Sequence, residues 1–338
     1  MFFSIIIPLY NRPVEIKELL ASLTEQDYQD FEVIIVEDGS SKPAEDIVAR
    51  FKDKLDVHYF FKENEGQGFA RNYGFERAKG DFFIVFDSDI IVPNNYLNLV
   101  LQGLERDRWD AFGGPDAAHA SFTPIQKAIS YSMTSPFTTG GIRGNKKHVG
   151  QFHPRSFNLG ISRAVWEKTQ GFKLSRRSED IEFSIRMINE GFKVGLIPEA
   201  FVYHKRRANF NQFYKQTFNF GKGRIAIWQR YPAELKPVHA LPAVFAIAVF
   251  GLIMVNAVNL LTMNEINMLN VLGWIGNSFM FIYTILLFIH ALIVCRSIKV
   301  AFLAVIAAYT QLIAYGLGFL SEYFNVTLSN KSKKKLTV

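Results

Sequence analysis

The chain has 338 residues, 49% of them apolar, a formal net charge of +7 and one cysteine. That length leaves room for two domains, and the lone Cys295 excludes an intramolecular disulfide or a cysteine-cluster metal site. The positive charge does not point to nucleic acid, because much of it is concentrated just before and just after a block of apolar spans. Residues 205–236 carry eight Lys or Arg against Glu234 alone, and Lys331, Lys333, Lys334 and Lys335 lie beyond the spans. Cations mixed with aromatics beside apolar spans read as an element at a membrane surface.

Phe3–Leu9 opens the chain as a buried strand. Phe2 to Leu9 is too short for a signal peptide and has no basic leader, so the N-terminal domain is expected in the cytosol. Asn11 is placed to cap a helix with Pro13 in its first turn and Val14, Leu19, Leu20 and Leu23 on its buried face. Phe31–Val36 reads as a second strand, followed by Glu37-Asp38-Gly39-Ser40 and a short helix from about Ala44. Val57–Phe61 is a third strand, Gly68–Ala78 a helix and Phe82–Phe86 a fourth strand. Strands alternating with helices imply a mostly parallel sheet with right-handed crossovers.

The fourth strand ends in Asp87-Ser88-Asp89. Residues two apart on an extended chain face the same side. Two carboxylates therefore converge beyond a strand's carboxyl end, where open α/β sheets bind ligands. Like charges packed so closely favour a divalent cation. Gly66 and Gly68 precede a helix and suit close approach of phosphate oxygens, with Arg71 in its first turn. Residues 112–155 are rich in Gly, Ser, Thr, Pro and His and predict irregular loops around a site, with a helix near Ile125–Met133. Ala164–Thr169 and Ile181–Asn189 read as helices, and Val194–Pro198 as a last strand.

Three stretches, about 238–263, 268–294 and 300–324, are long enough to cross a bilayer, which takes roughly 20 residues each. Asn264-Glu265 and Arg296-Ser297-Ile298-Lys299 connect them. Three spans put the C-terminus outside, against the positive-inside tendency for the Lys331–Lys335 cluster, whereas Arg296 and Lys299 agree with a cytosolic N-terminus. Between His204 and the first span, Phe210, Phe213, Tyr214 and Phe218 recur at helical spacing and predict one or two amphipathic interfacial helices.

Five features of residues 1–204, in order, resemble family 2 glycosyltransferases: Ile7-Pro8-Leu9-Tyr10-Asn11, Val36-Glu37-Asp38-Gly39-Ser40, Asn64-Glu65-Gly66 with Ala70-Arg71-Asn72, Asp87-Ser88-Asp89, and Glu179-Asp180 followed by His204. The resemblance implies a GT-A fold, the Rossmann-like mostly parallel α/β sheet of nucleotide-diphospho-sugar transferases, here followed by an α-helical membrane domain. Together with the basic segment and the apolar stretches, it divides the chain into a catalytic domain (1–204), a basic interface segment (205–236), a membrane domain (237–325, about three spans) and a basic tail (326–338). It also implies site roles. Asp38 takes the nucleobase, with Pro8 and Tyr10 shaping the pocket; Arg71 and Asp87 hold the nucleotide, and Asn158 lies by the donor sugar. Asp89 and His204 ligate Mn²⁺ or Mg²⁺. Asp180 is the catalytic base, and Glu179 and Trp166 lie on the acceptor side. Gln170 replaces the first Gly of the usual Gly-Gly-Phe.

The implied enzyme is an inverting, metal-dependent transferase at the cell membrane, multi-pass, with its catalytic domain in the cytoplasm. It takes a nucleotide sugar, a UDP-sugar favoured, and a lipid-linked or glycan acceptor in envelope glycan synthesis. A processive polysaccharide synthase is the alternative within the class. The Gln-x-x-Arg-Trp motif of such synthases is not found; Gln229-Arg230-Tyr231 is the nearest string. A nucleotidyltransferase on a similar fold would carry a glycine-rich basic N-terminal loop, which residues 7–11 lack.

Overall fold

A computed structural model describes residues 1–139, 152–261 and 268–335. In chain order the elements are β1 (Phe3–Leu9), α1 (Pro13–Leu23), β2 (Phe31–Asp38), α2 (Glu45–Ala49), β3 (Val57–Lys62), α3 (Gln67–Phe75), β4 (Phe82–Phe86), β5 (Ile90–Ile91), α4 (Tyr96–Asp107), β6 (Ala111–Gly113), β7 (Asp116–Ala117), α5 (Pro124–Thr134) and α6 (Pro136–Thr139). There follow β8 (Asn158–Ser162), α7 (Arg163–Thr169), α8 (Glu179–Asn189), β9 (Val194–Leu196), β10 (Val202–His204), α9 (Phe210–Arg230), α10 (Leu241–Leu261), α11 (Met268–Cys295) and α12 (Ile298–Lys335). The chain divides into two compact units, Met1–Ala120 with Ile142–Lys205, and Ser121–Gly141 with Arg206–Val338.

The first unit is built on a seven-stranded sheet in the order β3-β2-β1-β4-β8-β6-β9. β3, β2, β1 and β4 run parallel, and β8 is antiparallel to β4 and β6. Alternation along β1 explains the layering. Phe3, Ile5, Ile7 and Leu9 join one core with Ile16, Leu19, Leu20 and Leu23 of α1 and Tyr96, Leu97 and Val100 of α4. Ile6 faces the other core, with Ala70 and Phe75 of α3, Val165 of α7 and Phe183 and Met187 of α8. The strand order reverses at β1: β2 and β3 lie to one side, and the chain then crosses to β4 on the other. The carboxyl ends of β1 and β4 are therefore the switch point at which a crevice opens.

Some local expectations give way to packing. Asn11 does not cap α1; Arg12 holds that position, and Asn11 adopts φ +53°. Its side-chain oxygen accepts from Lys42 N–H and Ser41 Oγ, each at 3.0 Å, which spends the group on the loop after β2. Val14 is 65% exposed, and Ile16 takes its place on the buried face. α4 and the antiparallel β8 have no counterpart in the expected element order. At the amino end of the sheet, buried Glu32 accepts from Ser4 Oγ and Lys79 N–H, each at 2.6 Å, and ties three elements together.

The second unit contains the helix anticipated near Ile125–Met133, as α5, and the three apolar stretches. Pro237–Leu261, Met268–Cys295 and Ile298–Leu328 are long and apolar enough to cross a membrane. Asn264-Glu265 and the side chains of Lys331–Lys335 lie outside the described residues. The expected helix after His204 forms as α9. Within this unit Phe213 packs with Ile129, Met133 and Ala307, and Ile225 with Ala243 and Phe319, while Tyr214 and Phe220 stay exposed. One face of α9 is thus helical core rather than lipid surface. Glycine permits the approach: a Cβ on Gly221 would run into the Tyr315 carbonyl oxygen, and one on Gly318 into that of Phe218.

We predict that Gly221→Leu destabilises the detergent-solubilised protein by at least about 1–3 kcal/mol, the scale of overpacking. Gly251→Ala, where an added Cβ meets nothing within 4 Å, should leave the melting temperature level or raised. Equal melting of the two variants would disprove the close crossing of α9 and α12.

Candidate active site

Strand pairing assembles the acidic centre. β4 delivers Asp87 and Asp89 at its carboxyl end, and β5 follows at once. β10 pairs antiparallel with β5 so that His204 lies opposite Ile90, and Lys205 N–H donates to the Asp89 carbonyl at 2.9 Å. His204 Nε2 then stands 3.3 Å from Asp89 Oδ1, although the residues are far apart in sequence. One ligand atom from each of Asp87, Asp89 and His204 can lie within 4.8 Å of the others. Two carboxylate oxygens and an imidazole nitrogen facing one point fit a divalent cation, Mn²⁺ better than Mg²⁺ because imidazole is a ligand. Asp116 Oδ2 sits 3.9 Å from the other ring nitrogen of His204, and Phe157 packs against the ring.

Arg71 is the organiser of the next layer. It is fully buried, and its guanidinium reaches Asp87 Oδ1 at 2.8 Å and Glu179 Oε1 at 3.1 Å over the face of Phe172. A surface arginine on α3 is thereby excluded, and Arg71 acts on the crevice through the two carboxylates it holds. Glu179 opens α8 and also takes Gln67. Burial, and then the charge of Asp180, raise its pKa above the usual 4.5, against the opposing pull of Arg71 and Gln67. Asp180 follows in the first turn, bonded by Oδ1 to the Ile181 N–H and facing Arg155 at 3.6 Å.

The remaining sequence candidates fall into two groups. Tyr10 is exposed and Pro8 half-buried at the end of β1, so both border the crevice. Asp38 ends β2 and accepts from Glu65 N–H (3.0 Å), Gly66 N–H (2.8 Å) and Lys62 Nζ (3.3 Å), locking the loop before α3. Asn158 lies opposite Phe86, fully buried, accepting from Tyr96 Oη and donating to the Ala200 carbonyl at 2.9 Å. Trp166 packs edge-on to Phe83 in the core below. The glycines before α3 do not leave that helix end open to phosphate. Gly66 N–H is taken by Asp38 and Gly68 N–H by the Ser175 carbonyl, and Cβ atoms there would meet the Ser175 and Leu174 carbonyls. Gln170 closes α7 in a left-handed conformation, and Asn72 pins the turn through both backbone groups of Phe172.

Three residues escape a motif reading. Arg12 ion-pairs with Asp89. Burial works against its charge, but Asp89, aided by Asp87, raises its pKa. Its signal was adjacency to Tyr10-Asn11. Asp116 and Arg155 come from the loop-rich stretch, where nothing local marks them.

Comparison with known proteins agrees with this geometry. The model of glycosyl transferase family 2 matches residues 4–168. An uncharacterized glycosyltransferase of Haemophilus influenzae is 36% identical over 238 residues, 67% of this chain and 84% of that protein. The chain therefore belongs to glycosyl transferase family 2 and is a glycosyltransferase. A dolichyl N-acetyl-α-D-glucosaminyl phosphate 3-β-D-2,3-diacetamido-2,3-dideoxy-β-D-glucuronosyltransferase of Methanococcus voltae is 24% identical over 238 residues, 66% of this chain and 73% of that one. The mannosyltransferase PcManGT of Pyrobaculum calidifontis, solved with GDP-Man and Mn²⁺, superposes with a TM-score of 0.62 over 94% of this chain and 86% of its own, at 16% identity. It shares the expected GT-A fold. Other matches are to much longer proteins, of which the chain spans only 19% and 22%.

The raised pKa of Glu179 has a pH consequence. The folded state holds this proton more tightly than the unfolded chain. Its stabilising contribution is therefore complete below about 4.5 and fades as pH rises through the folded value. Glu179→Gln should flatten the fall in melting temperature from acid to neutral pH; parallel wild-type and variant curves would contradict the assignment.

Proposed function

We propose that this protein transfers a sugar, with inversion, from a nucleoside-diphosphate donor to a membrane-associated, lipid-linked acceptor, with Asp180 as the general base. A UDP-sugar is the favoured donor. The observation that carries the reading is the meeting of Asp87, Asp89 and His204 at the switch point of a GT-A sheet that also carries Asp180 at the start of α8.

Asp38, buried at the end of β2, would meet a base N–H with the acceptor capacity its carboxylate keeps beside its bonds to Lys62, Glu65 and Gly66. Asp87, Asp89 and His204 would hold the divalent cation, which supplies charge for the leaving diphosphate. Asp180 takes the acceptor hydroxyl's proton as its oxygen bonds to the anomeric carbon and the bond from that carbon to the diphosphate oxygen breaks. Arg155 keeps a positive charge beside Asp180, and Arg71 fixes Glu179 next to it, so the base is oriented from two sides. Three apolar helices in the same chain, and a relative named for a dolichyl phosphate acceptor, support a lipid-linked acceptor presented at the bilayer. Cations of residues 205–236 suit the anionic headgroups of a cytosolic leaflet. Cell-envelope glycan synthesis is the setting this reading implies.

Asp89→Ala should abolish the Mn²⁺-dependent part of UDP binding in calorimetry of the full chain; unchanged metal-dependent affinity would remove Asp89 from the site. Asp180→Asn, nearly isosteric, should leave UDP affinity close to wild type and slow transfer by roughly 10²–10⁴-fold. Undiminished transfer would place the base elsewhere, with Glu179 or Glu182 next in line.

A further inference from the structure

Two arginines that reach the acidic centre differ in exposure. Arg71 is fully buried between two carboxylates and has no route out. The Arg12 side chain keeps about a third of its surface exposed (31%), yet its guanidinium rests on Oδ2 of Asp89, a residue of the candidate cation-ligating set. Its backbone is fixed. Asn11 N–H donates to Ser40 Oγ at 2.7 Å, Asn11 Oδ1 is held by Ser41 and Lys42, and Pro13 begins α1 at once. The side chain extends from the loop after β1, which Asn11 ties to the loop after β2.

We propose that Arg12 is a displaceable counter-cation: it neutralises Asp89 before a divalent cation arrives, yields the carboxylate to the cation, and then pairs with the diphosphate of the donor. The inference rests on the cation-dependent reading given above. Asp89 cannot give its full charge to both a guanidinium and a metal ion, so the two compete. Once released, a partly buried guanidinium needs a new anion. The diphosphate that arrives with the cation offers paired oxygens matched to the guanidinium fork. Arg12 would thus keep an acidic site folded without metal and bias it toward loading cation and nucleotide together.

Removing Arg12 has opposite effects on the two ligands, a pattern that a merely structural residue would not give. With the full chain in detergent, Mn²⁺ binding is followed by the signal of the free ion in electron paramagnetic resonance, and UDP binding by calorimetry at saturating Mn²⁺. Arg12→Ala should bind Mn²⁺ alone about tenfold tighter and UDP about tenfold weaker, the scale of one charge-assisted contact. Arg12→Lys should fall between, and Arg106→Ala, an exposed charge elsewhere, should change neither. Binding of Mn²⁺ by the Ala variant but not by wild type would support displacement in its strongest form. Equal Mn²⁺ affinity in two natively melting proteins would overturn the inference while leaving the cation site intact. Weaker UDP binding without tighter Mn²⁺ binding would also overturn it, making Arg12 a plain diphosphate ligand. Failure of both proteins to bind Mn²⁺ would overturn this inference and the metal-dependent reading together.

Discussion

Carboxylates crowded at the carboxyl end of a parallel sheet repel one another, and the arrangement of the first unit answers that repulsion. Asp87, Asp89, Glu179 and Asp180 come from two distant segments, and each stands beside a cation or an ionisable nitrogen. Arg71 spans Asp87 and Glu179, Arg12 and His204 share Asp89, and Arg155 faces Asp180. Opposite charge at such distances is what allows several carboxylates to coexist in a half-desolvated crevice. Because Arg71 has two partners on different elements, the end of β4 and the start of α8 are set by one buried group. That couples the candidate cation site to the candidate base.

Topology does the rest. The reversal of strand order at β1 opens the crevice, and antiparallel pairing of β10 with β5 returns His204 to Asp89. Asn158 supports the crevice from below through Tyr96 and Ala200, whereas Trp166 packs on Phe83 in the core. Asp38 binds the loop before α3, so the part of the chain expected to meet the nucleobase also fixes Arg71's helix.

Much of this was legible in the sequence because the strands and the acidic motifs carry local signals. Apolar runs of five to seven residues define β1 and β4 almost to the residue, and Asp87 and Asp89 follow from where β4 stops. The apolar stretches of the second unit are visible from length alone. What was hidden depends on tertiary pairing. The glycines near residue 66 look like a phosphate loop until the 174–175 carbonyls are seen to fill the space. Asn11 looks like a helix cap until the loop after β2 claims its side chain. Arg12, Asp116 and Arg155 have ordinary sequence neighbours and gain meaning only from the groups they meet. α9 carries the expected helical spacing of aromatics, but spacing does not tell lipid from a glycine-faced neighbouring helix.

The account rests most heavily on Asp87, Asp89 and His204 as the place where a cation receives the donor diphosphate. Anomalous diffraction at the manganese edge, from crystals of the full chain grown with Mn²⁺ and UDP, tests this most directly. The account predicts a strong peak within bonding distance of Asp89 and His204 and beside the UDP diphosphate. A second group, Glu32, Asp56 and His58 at the amino end of the sheet, also brings three donor atoms within 4.8 Å. Manganese confined to that group, or UDP bound in the crevice with no manganese beside it, would contradict the account.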